Sequence, residues 1–464
     1  MSRYVGLDVH RMTIEACMID ETGRVLRRAS LACTREAIDA FARSQLMPSD
    51  RVALEATTNT WSVADILRPH VAAVVIGNPL RTRIIAEARI KTDKVDAEVL
   101  AQLLRCDFLP SVWQPDPAIR QLRELSGHRA AVVRQQTRLK NRIHSILAQR
   151  LIHPPVADVF RKQGRQWLEG LALDPADRLV IDSHMELLAH LEAEEAKLTL
   201  ELAKISYPRE DVRLIMTLPG VGAAVAQAVI GALGDWSRFR DADHAASYLG
   251  LVPSVRQSAD HCHHGSVTKA GNSHARWLLT QASQQVARHP GPLGVFFRRL
   301  ARRKHRNVAV VATARKLVTV AYYMLKHREP YRYALPERTQ FKLSALRVDA
   351  TGERRPKSKV GRAMEPQPPG RRLRRTPDLN SVYRTEGLPP VVVEPAAPGE
   401  QRVVNTCGGV QLLRRIHQPR IRYSYRKAKP GLTAAQCAAS LILPTKTEPE
   451  RERGIPASFS GSSG

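Results

Sequence analysis

The chain reads as an α/β domain, then all-α segments, then a basic tail without regular structure. Three observations carry that reading. Over residues 1–110, short apolar runs rich in Val and Ile alternate with helical patterns. Over 111–336, apolar residues recur at helical spacing in long segments. From about Ser344 neither period is sustained, and Arg and Pro accumulate, as in Arg371-Arg372-Leu373-Arg374-Arg375 and Gly387-Leu388-Pro389-Pro390. Residues 337–464 are therefore expected to be mostly disordered, a basic segment that adds nonspecific affinity for polyanions.

Taken in order, Tyr4–Val9, Thr13–Ile19 and Arg24–Ser30 predict a three-strand meander, with Glu21-Thr22-Gly23 as a turn. A helix is expected near Arg35–Ser44, then a strand ending at Glu55, a helix over Trp61–Leu67 and a buried strand over Val71–Ile76. Helices near Thr82–Ala88 and Asp93–Arg105 close the domain. Three antiparallel strands followed by helix–strand alternation is the order of a ribonuclease H-like sheet.

Four carboxylates sit at informative places in this pattern. Asp8 closes the first apolar run and Glu55 closes that of Val52-Ala53-Leu54. Acids are poor strand formers, and ligand sites of open α/β sheets collect at strand ends. Asp93 and Asp96 lie three apart at the start of a helical pattern, so they share one face. Any one of them has a plainer role available as a solvated charge, and Asp93 suits a helix N-cap. Together, two strand ends and one helix aim four carboxylates at one point. Such a cluster repels itself unless divalent cations are bound. Two Mg²⁺ roughly 4 Å apart, or Mn²⁺ in their place, would activate an attacking oxygen and stabilise a leaving one.

Residues 111–208 change character. Ala118–Arg150 is one long helical stretch carrying Arg120, Arg123, Arg129, Arg134, Arg138, Lys140, Arg142 and Arg150, with Glu124 nearly alone as an acid. Asp182–Ile205 repeats Leu187, Leu188, Leu191, Ala196, Leu198 and Leu202 between charges. The pair predicts an antiparallel helical hairpin or short coiled coil. The basic helix is expected to face phosphates through Arg134, Arg138 and Arg142 rather than merely to be solvated.

Residues 209–336 open with Leu218-Pro219-Gly220-Val221-Gly222 between two apolar helices. This resembles a helix–hairpin–helix, in which Gly220 and Gly222 let backbone N–H groups approach a DNA phosphate. Tyr248 to Lys269 is expected to be loop-like, and three helices follow at about Ser273–Arg288, Leu293–Arg302 and Val308–His327. Serines here lie near Arg256, Lys269 and Arg276, as phosphoryl transfer through a phosphoserine requires. On residues alone Ser254, Ser258, Ser266 and Ser273 stand equal, since most loop serines are turn formers. Asp260-His261-Cys262-His263-His264 is too compact for one tetrahedral zinc site and reads as a polar, partly protonated loop.

Composition bounds the function. A 464-residue chain has room for two or three domains. A formal charge of +28 and a pI near 10.5 favour nucleic acid first and an anionic membrane second. The longest apolar helix holds Arg315 and Lys316 at its centre, which argues against a membrane span. Six cysteines lack disulfide or CxxC spacing, as in a reducing, cytoplasmic setting.

These motifs together resemble the DEDD-type insertion-sequence transposases, the class of bridge-RNA-guided DNA recombinases. Gly6-Leu7-Asp8-Val9-His10, Leu54-Glu55-Ala56-Thr57 and Lys91-Thr92-Asp93-Lys94-Val95-Asp96-Ala97 resemble the acidic motifs of its RuvC-like domain. Leu218 to Gly222, Tyr248-Leu249-Gly250-Leu251-Val252-Pro253 and Lys269-Ala270-Gly271-Asn272 resemble the landmarks of its serine-bearing transposase domain, in the family's order. The match runs from about residue 3 to 335. By its position after the Gly-Leu-x-Pro landmark, Ser258 falls on the family's nucleophile, although Ala259 stands where glycine is common. The resemblance implies excision and insertion of a mobile element through a phosphoserine, with Mg²⁺-bound carboxylates assisting. It also implies a structured noncoding RNA that pairs with DNA, a homo-oligomer (dimer or tetramer) with composite active sites, and a nucleoid-associated location. The competing readings are a Holliday-junction resolvase-like nuclease that hydrolyses without a serine, and a noncatalytic nucleic-acid-binding remnant.

Overall fold

The computed structural model describes residues 3–85, 93–258, 261–354, 371–391, 402, 404–405 and 409–425. The chain divides into two compact units at Pro117.

The first unit runs β1 (Tyr4–Val9), β2 (Thr13–Ile19), β3 (Val25–Ala32), α1 (Arg35–Gln45), β4 (Arg51–Glu55), α2 (Thr60–Leu67), β5 (Ala73–Gly77), α3 (Pro79–Ile85) and α4 (Asp93–Arg105). Its mixed sheet has the order β3-β2-β1-β4-β5. The first three strands are antiparallel, and β4 and β5 join parallel. This topology is compatible with a ribonuclease H-like domain, as the alternation of apolar runs predicts.

Strand alternation gives the sheet two unlike faces. Val5, Leu7 and Val9 of β1 and Val52 and Leu54 of β4 are buried in one core with Ile38, Val63 and Leu67 of α1 and α2. The opposite face carries small residues, and α4 lies on it. A Cβ on Gly6 would collide with the Ala97 carbonyl oxygen and come within 2.7 Å of the Ala101 nitrogen. Glycine at this position therefore lets a helix backbone rest directly on a strand. Ala53 does the same on β4, buried with Leu100 and Leu104. Each of those leucines contributes roughly 2 kcal/mol through its burial.

The second unit begins with α5 (Pro117–Gln149), α6 (Lys162–Glu169) and α7 (Pro175–Ser206). Arg129 bonds Glu195 and Thr199, Lys140 pairs with Glu192, and Arg150 pairs with Asp177. Rising numbers on α5 meet falling numbers on α7, so the two helices are antiparallel. Ile143, Ile146 and Leu147 form a separate apolar cluster with Val159, Leu168 and Ile181 at one end.

Then come α8 (Glu210–Met216), α9 (Ala223–Leu233), α10 (Ala242–Tyr248), β6 (Pro253–Ser258), β7 (His261–Val267), α11 (Ser273–Val286), α12 (Pro292–Arg303) and α13 (Arg306–His327). Helix α13 packs against α8, α10, α11 and α12. Among the described residues it is the one helix long and apolar enough to cross a membrane. Its Ala314, Leu317, Val318 and Ala321 are buried in the protein core, and its Arg315 bonds Asp243.

Two expectations are corrected. The stretch from Tyr248 to Lys269 is not a loop: β6 and β7 form an antiparallel hairpin. No apolar alternation announces it because Val255 is 53% exposed, and neither face is obliged to be apolar. Nor does structure stop near Ser344. Helix α14 (Pro336–Thr351) packs on α7, and α15 (Leu379–Thr385) packs on α14. Tyr383 is fully buried and donates its hydroxyl to the Tyr331 carbonyl at 2.7 Å. Arg347 pairs with Glu386 at 3.4 Å, both buried. This region is held by aromatic and polar anchors spaced too irregularly to give a period. Strands β8 (Arg371–Thr376) and β9 (Arg420–Tyr425) pair, and α16 (Gly409–Ile416) buries Leu412 and Ile416. Residues 355–370, 392–401 and 426–464 lie outside the described residues.

Candidate active site

Asp8 and Glu55 end adjacent parallel strands. Leu7 is the register partner of Leu54, so the next positions, Asp8 and Glu55, stand side by side. Asp8 shares a face with Gly6, and Glu55 shares one with Ala53, so both belong to the face that α4 covers. Helix α4 runs against β1: Ala97 covers Gly6, whereas Gln102 donates to the Gly23 carbonyl at the far end of the sheet. Its first turn, with Asp93 and Asp96, is therefore at the same end of the sheet as Asp8 and Glu55. The fold brings Asp8, Glu55 and Asp96, all partly exposed, to one end of one face. The side chain of Asp93 lies outside the described residues.

Two residues next to Asp8 were passed over by sequence reasoning. Glu15 is the register partner of Asp8 on β2, on the same face. The alternation within Thr13–Ile19 was the available signal, since Ile14, Ala16 and Met18 claim the other face. His10 places Nε2 3.1 Å from Asp8 Oδ2. All four expected ligands are carboxylates, a donor set suited to a hard divalent cation such as Mg²⁺. Among the described residues, no three of His, Cys, Asp or Glu are close enough to hold an ion.

In the second unit, the landmark segments are knotted by glycines. Gly250 has φ +66° and Gly271 φ +68°, a region L side chains rarely adopt. A Cβ on Gly250 would strike the Ala270 backbone, and one on Gly271 would strike the Tyr248 carbonyl. Arg276 donates to the Leu249 carbonyl at 3.2 Å and the Ala270 carbonyl at 2.7 Å, tying the same two segments. Its guanidinium thus serves the fold. Asn272 caps α11 by accepting from the Ala275 N–H. Ser258 ends β6 opposite His261, and its side chain lies outside the described residues. Ser254 Oγ packs against Gly265, and Arg256 and Lys269 are exposed. On β7, alternation places His261 and His263 on one face and Cys262 on the other.

Between α8 and α9, Gly220 has φ +78° and rests against the Ala282 backbone, while Gly222 precedes α9 in open space. The ammonium of Lys342, on α14, fills the inside of this turn. It donates to the carbonyls of Met216, Leu218 at 2.8 Å and Val221 at 2.9 Å. Burial pushes this amine down to about 7, with Arg338 adding to the shift. On α5, Arg123 donates to the Gly231 and Ala232 carbonyls, and Arg129, Lys140 and Arg150 bond to α7. Arg134, Arg138 and Arg142 are exposed and have no ion-pair partner among the described residues.

Residues 5–152 match a family model described as Transposase, of the DEDD, IS110 type, and residues 212–296 match the Transposase IS116/IS110/IS902 family. The chain belongs to the IS110/IS116 transposase family. It is similar to the pilin gene-inverting protein of Moraxella bovis, 25% identical over 71% of this chain and 97% of that one. A probable family 20 transposase of Pseudomonas aeruginosa is 26% identical over 71% of this chain and 98% of its own length. The insertion element IS110 protein of Streptomyces coelicolor is 25% identical over 53% of this chain and 73% of its own. As a member of this family the chain is a DNA transposase, an enzyme that acts on DNA. The two matched regions contain the acidic strand ends and the serine-domain landmarks.

Proposed function

We propose that this transposase cuts and rejoins DNA through a phosphoserine ester on Ser258, assisted by Asp8, Glu55, Asp93 and Asp96. The observation that carries the reading is the placement of Asp8 and Glu55 at adjacent strand ends, with the first turn of α4 at the same end of the sheet. When bound, Mg²⁺ supplies positive charge at the phosphate and lowers the barrier to deprotonating a nucleophile. The carboxylates hold that cation, and His10 orients Asp8. The Ser258 oxygen attacks phosphorus and a sugar oxygen leaves, so the bond energy is retained for rejoining. Arg256 and Lys269 face the non-bridging oxygens. In a homo-oligomer, acids and serine come from different protomers.

Recognition follows from charge. Arg134, Arg138 and Arg142, one helical turn apart, grip the backbone of a structured guide RNA, and base pairing to that RNA selects the DNA. The antiparallel pair α5 and α7 acts as a coiled-coil arm, and the α8–α9 turn acts as a helix–hairpin–helix on a DNA phosphate. The protein works in the cytoplasm, on the nucleoid. A nicked DNA substrate trapped with the protein is expected to give a covalent protein–DNA adduct at Ser258, absent in Ser258→Ala. An adduct on Ser254 or Ser266 would reassign the nucleophile. Free DNA ends without any adduct would establish the hydrolytic resolvase in its place.

A further inference from the structure

A cavity of about 520 Å³ opens on the α1–α2 side of the sheet, across the sheet from the acids and at the strand end that carries them. Its volume lies within the range of small-molecule sites. Val9, Ile38, Val63 and Ile66 give it an apolar floor. Arg11, Arg35, Thr58 and Ser62, all exposed, line its walls. Among the described residues none of these four has a hydrogen-bond or ion-pair partner, and no carboxylate lines the cavity. The wall is itself braced, because Asn59 donates to Cys33 Sγ at 3.1 Å and to the His10 carbonyl at 3.4 Å. The starts of α1 and α2 add their partial positive charge to the same space.

The cavity and the acid cluster share one residue. His10 lines the cavity and also bonds Asp8 through Nε2. We propose that the cavity receives one unpaired nucleotide of the DNA strand being cut, next to the phosphate held at the acids. Arg11 and Arg35 take its phosphate, with Thr58 and Ser62 as further donors. The apolar floor takes the face of the base. A base stacked in a duplex cannot enter, so the site selects a strand already opened there, where the cost of unstacking has been met. This inference rests on the assignment of the acids to strand cleavage.

The test is photo-crosslinking of the full chain to a duplex bearing 5-iododeoxyuridine, either unpaired in a gap or paired. Crosslinks are expected on the peptides of His10–Arg11 and residues 57–62, and only with the unpaired probe. The double substitution Arg11→Gln, Arg35→Gln should reduce them about tenfold, the loss of two charge-assisted contacts. The fold of the double variant, read by circular dichroism, should be unchanged, since both residues are exposed. Equal crosslinking of paired and unpaired probes, or undiminished crosslinking in the double variant, overturns the proposal. Stronger crosslinking of the matched ribonucleotide probe overturns the assignment to DNA. The same measurement in Asp8→Ala separates the two readings. Pocket crosslinks that persist while strand exchange is lost support both. Strand exchange that survives in Asp8→Ala removes the acid assignment and with it the stated neighbour of the pocket.

Discussion

Asp8 owes its position to its neighbours' sizes. It sits where a core strand runs out, two residues past a glycine that seats α4, with His10 at 3.1 Å. Asp8→Ala removes a charge without disturbing packing, since Asp8 is only partly buried. Strand exchange should fall by about two orders of magnitude or more, as when a transition-state charge contact is lost. RNA and DNA binding should stay near wild type in a gel-shift assay. A different residue contributes to the loss of stability in acid. His289 is buried, accepts from the Gly291 N–H at 3.0 Å, and lies near Arg338, Lys342 and Arg298. Burial pushes its imidazole down to about 4 from 6.5. Between these values the unfolded chain holds the extra proton, so stability is full above about pH 6.5 and declines as pH falls toward 4. The contribution is about 3 kcal/mol. Denaturant melts across that range should show this slope, and His289→Asn should flatten it.

At the level of elements, the contact between α4 and the sheet can be tested through Gly6. Gly6→Val forces β1 and α4 apart, because the new side chain meets helix backbone rather than a flexible tip. A loss of roughly 1–3 kcal/mol or more is expected in chemical denaturation, together with loss of strand exchange. The basic helix gives a second measurement. Replacing Arg134, Arg138 and Arg142 together by Gln should make the log–log salt slope of RNA affinity shallower by about 2 to 3, one unit or slightly less per phosphate contact. Arg123→Gln should instead destabilise the unit, since its guanidinium caps the carbonyls at the end of α9. Elements differ in how clearly the sequence announces them. The strands β1, β2 and β4 are legible as short, mostly buried apolar runs bounded by turns, and a carboxylate at the end of such a run, as at Asp8 and Glu55, stands out. Glu15 was passed over because a polar residue inside a strand reads as ordinary solvent exposure until its register partner, Asp8, is known. Among the described side chains, hairpin β6–β7 has no buried face, so no apolar alternation marks it as a strand pair.

For the whole molecule, the C-terminal third changes the expectation most. A segment counted as disordered for its Arg and Pro content contributes Leu379, Val382 and Tyr383 to a buried core. Few apolar residues suffice there because α14 and the Tyr331 region already offer a surface to dock on, a fact of tertiary structure that no local window contains. Truncation after Ser344 would remove the end of α14, Arg347 and all of α15. The shortened chain should unfold at markedly lower denaturant, read by circular dichroism, whereas a merely solvated tail would leave the midpoint unchanged.

The Lys342 ammonium, enclosed by three carbonyls inside the α8–α9 turn, turns that turn into its own chemical reporter. An amine so enclosed is shielded from acylating reagents while the turn is closed, whereas lysines on the protein's surface react at once. Its acetylation therefore requires an opening event. The ratio of its labelling rate to that of a free lysine gives the fraction of time the turn spends open, as amide exchange does for a backbone N–H. Adding DNA to the labelling reaction would then reveal whether the turn tightens or loosens as a phosphate docks, without mutating the site or attaching a probe.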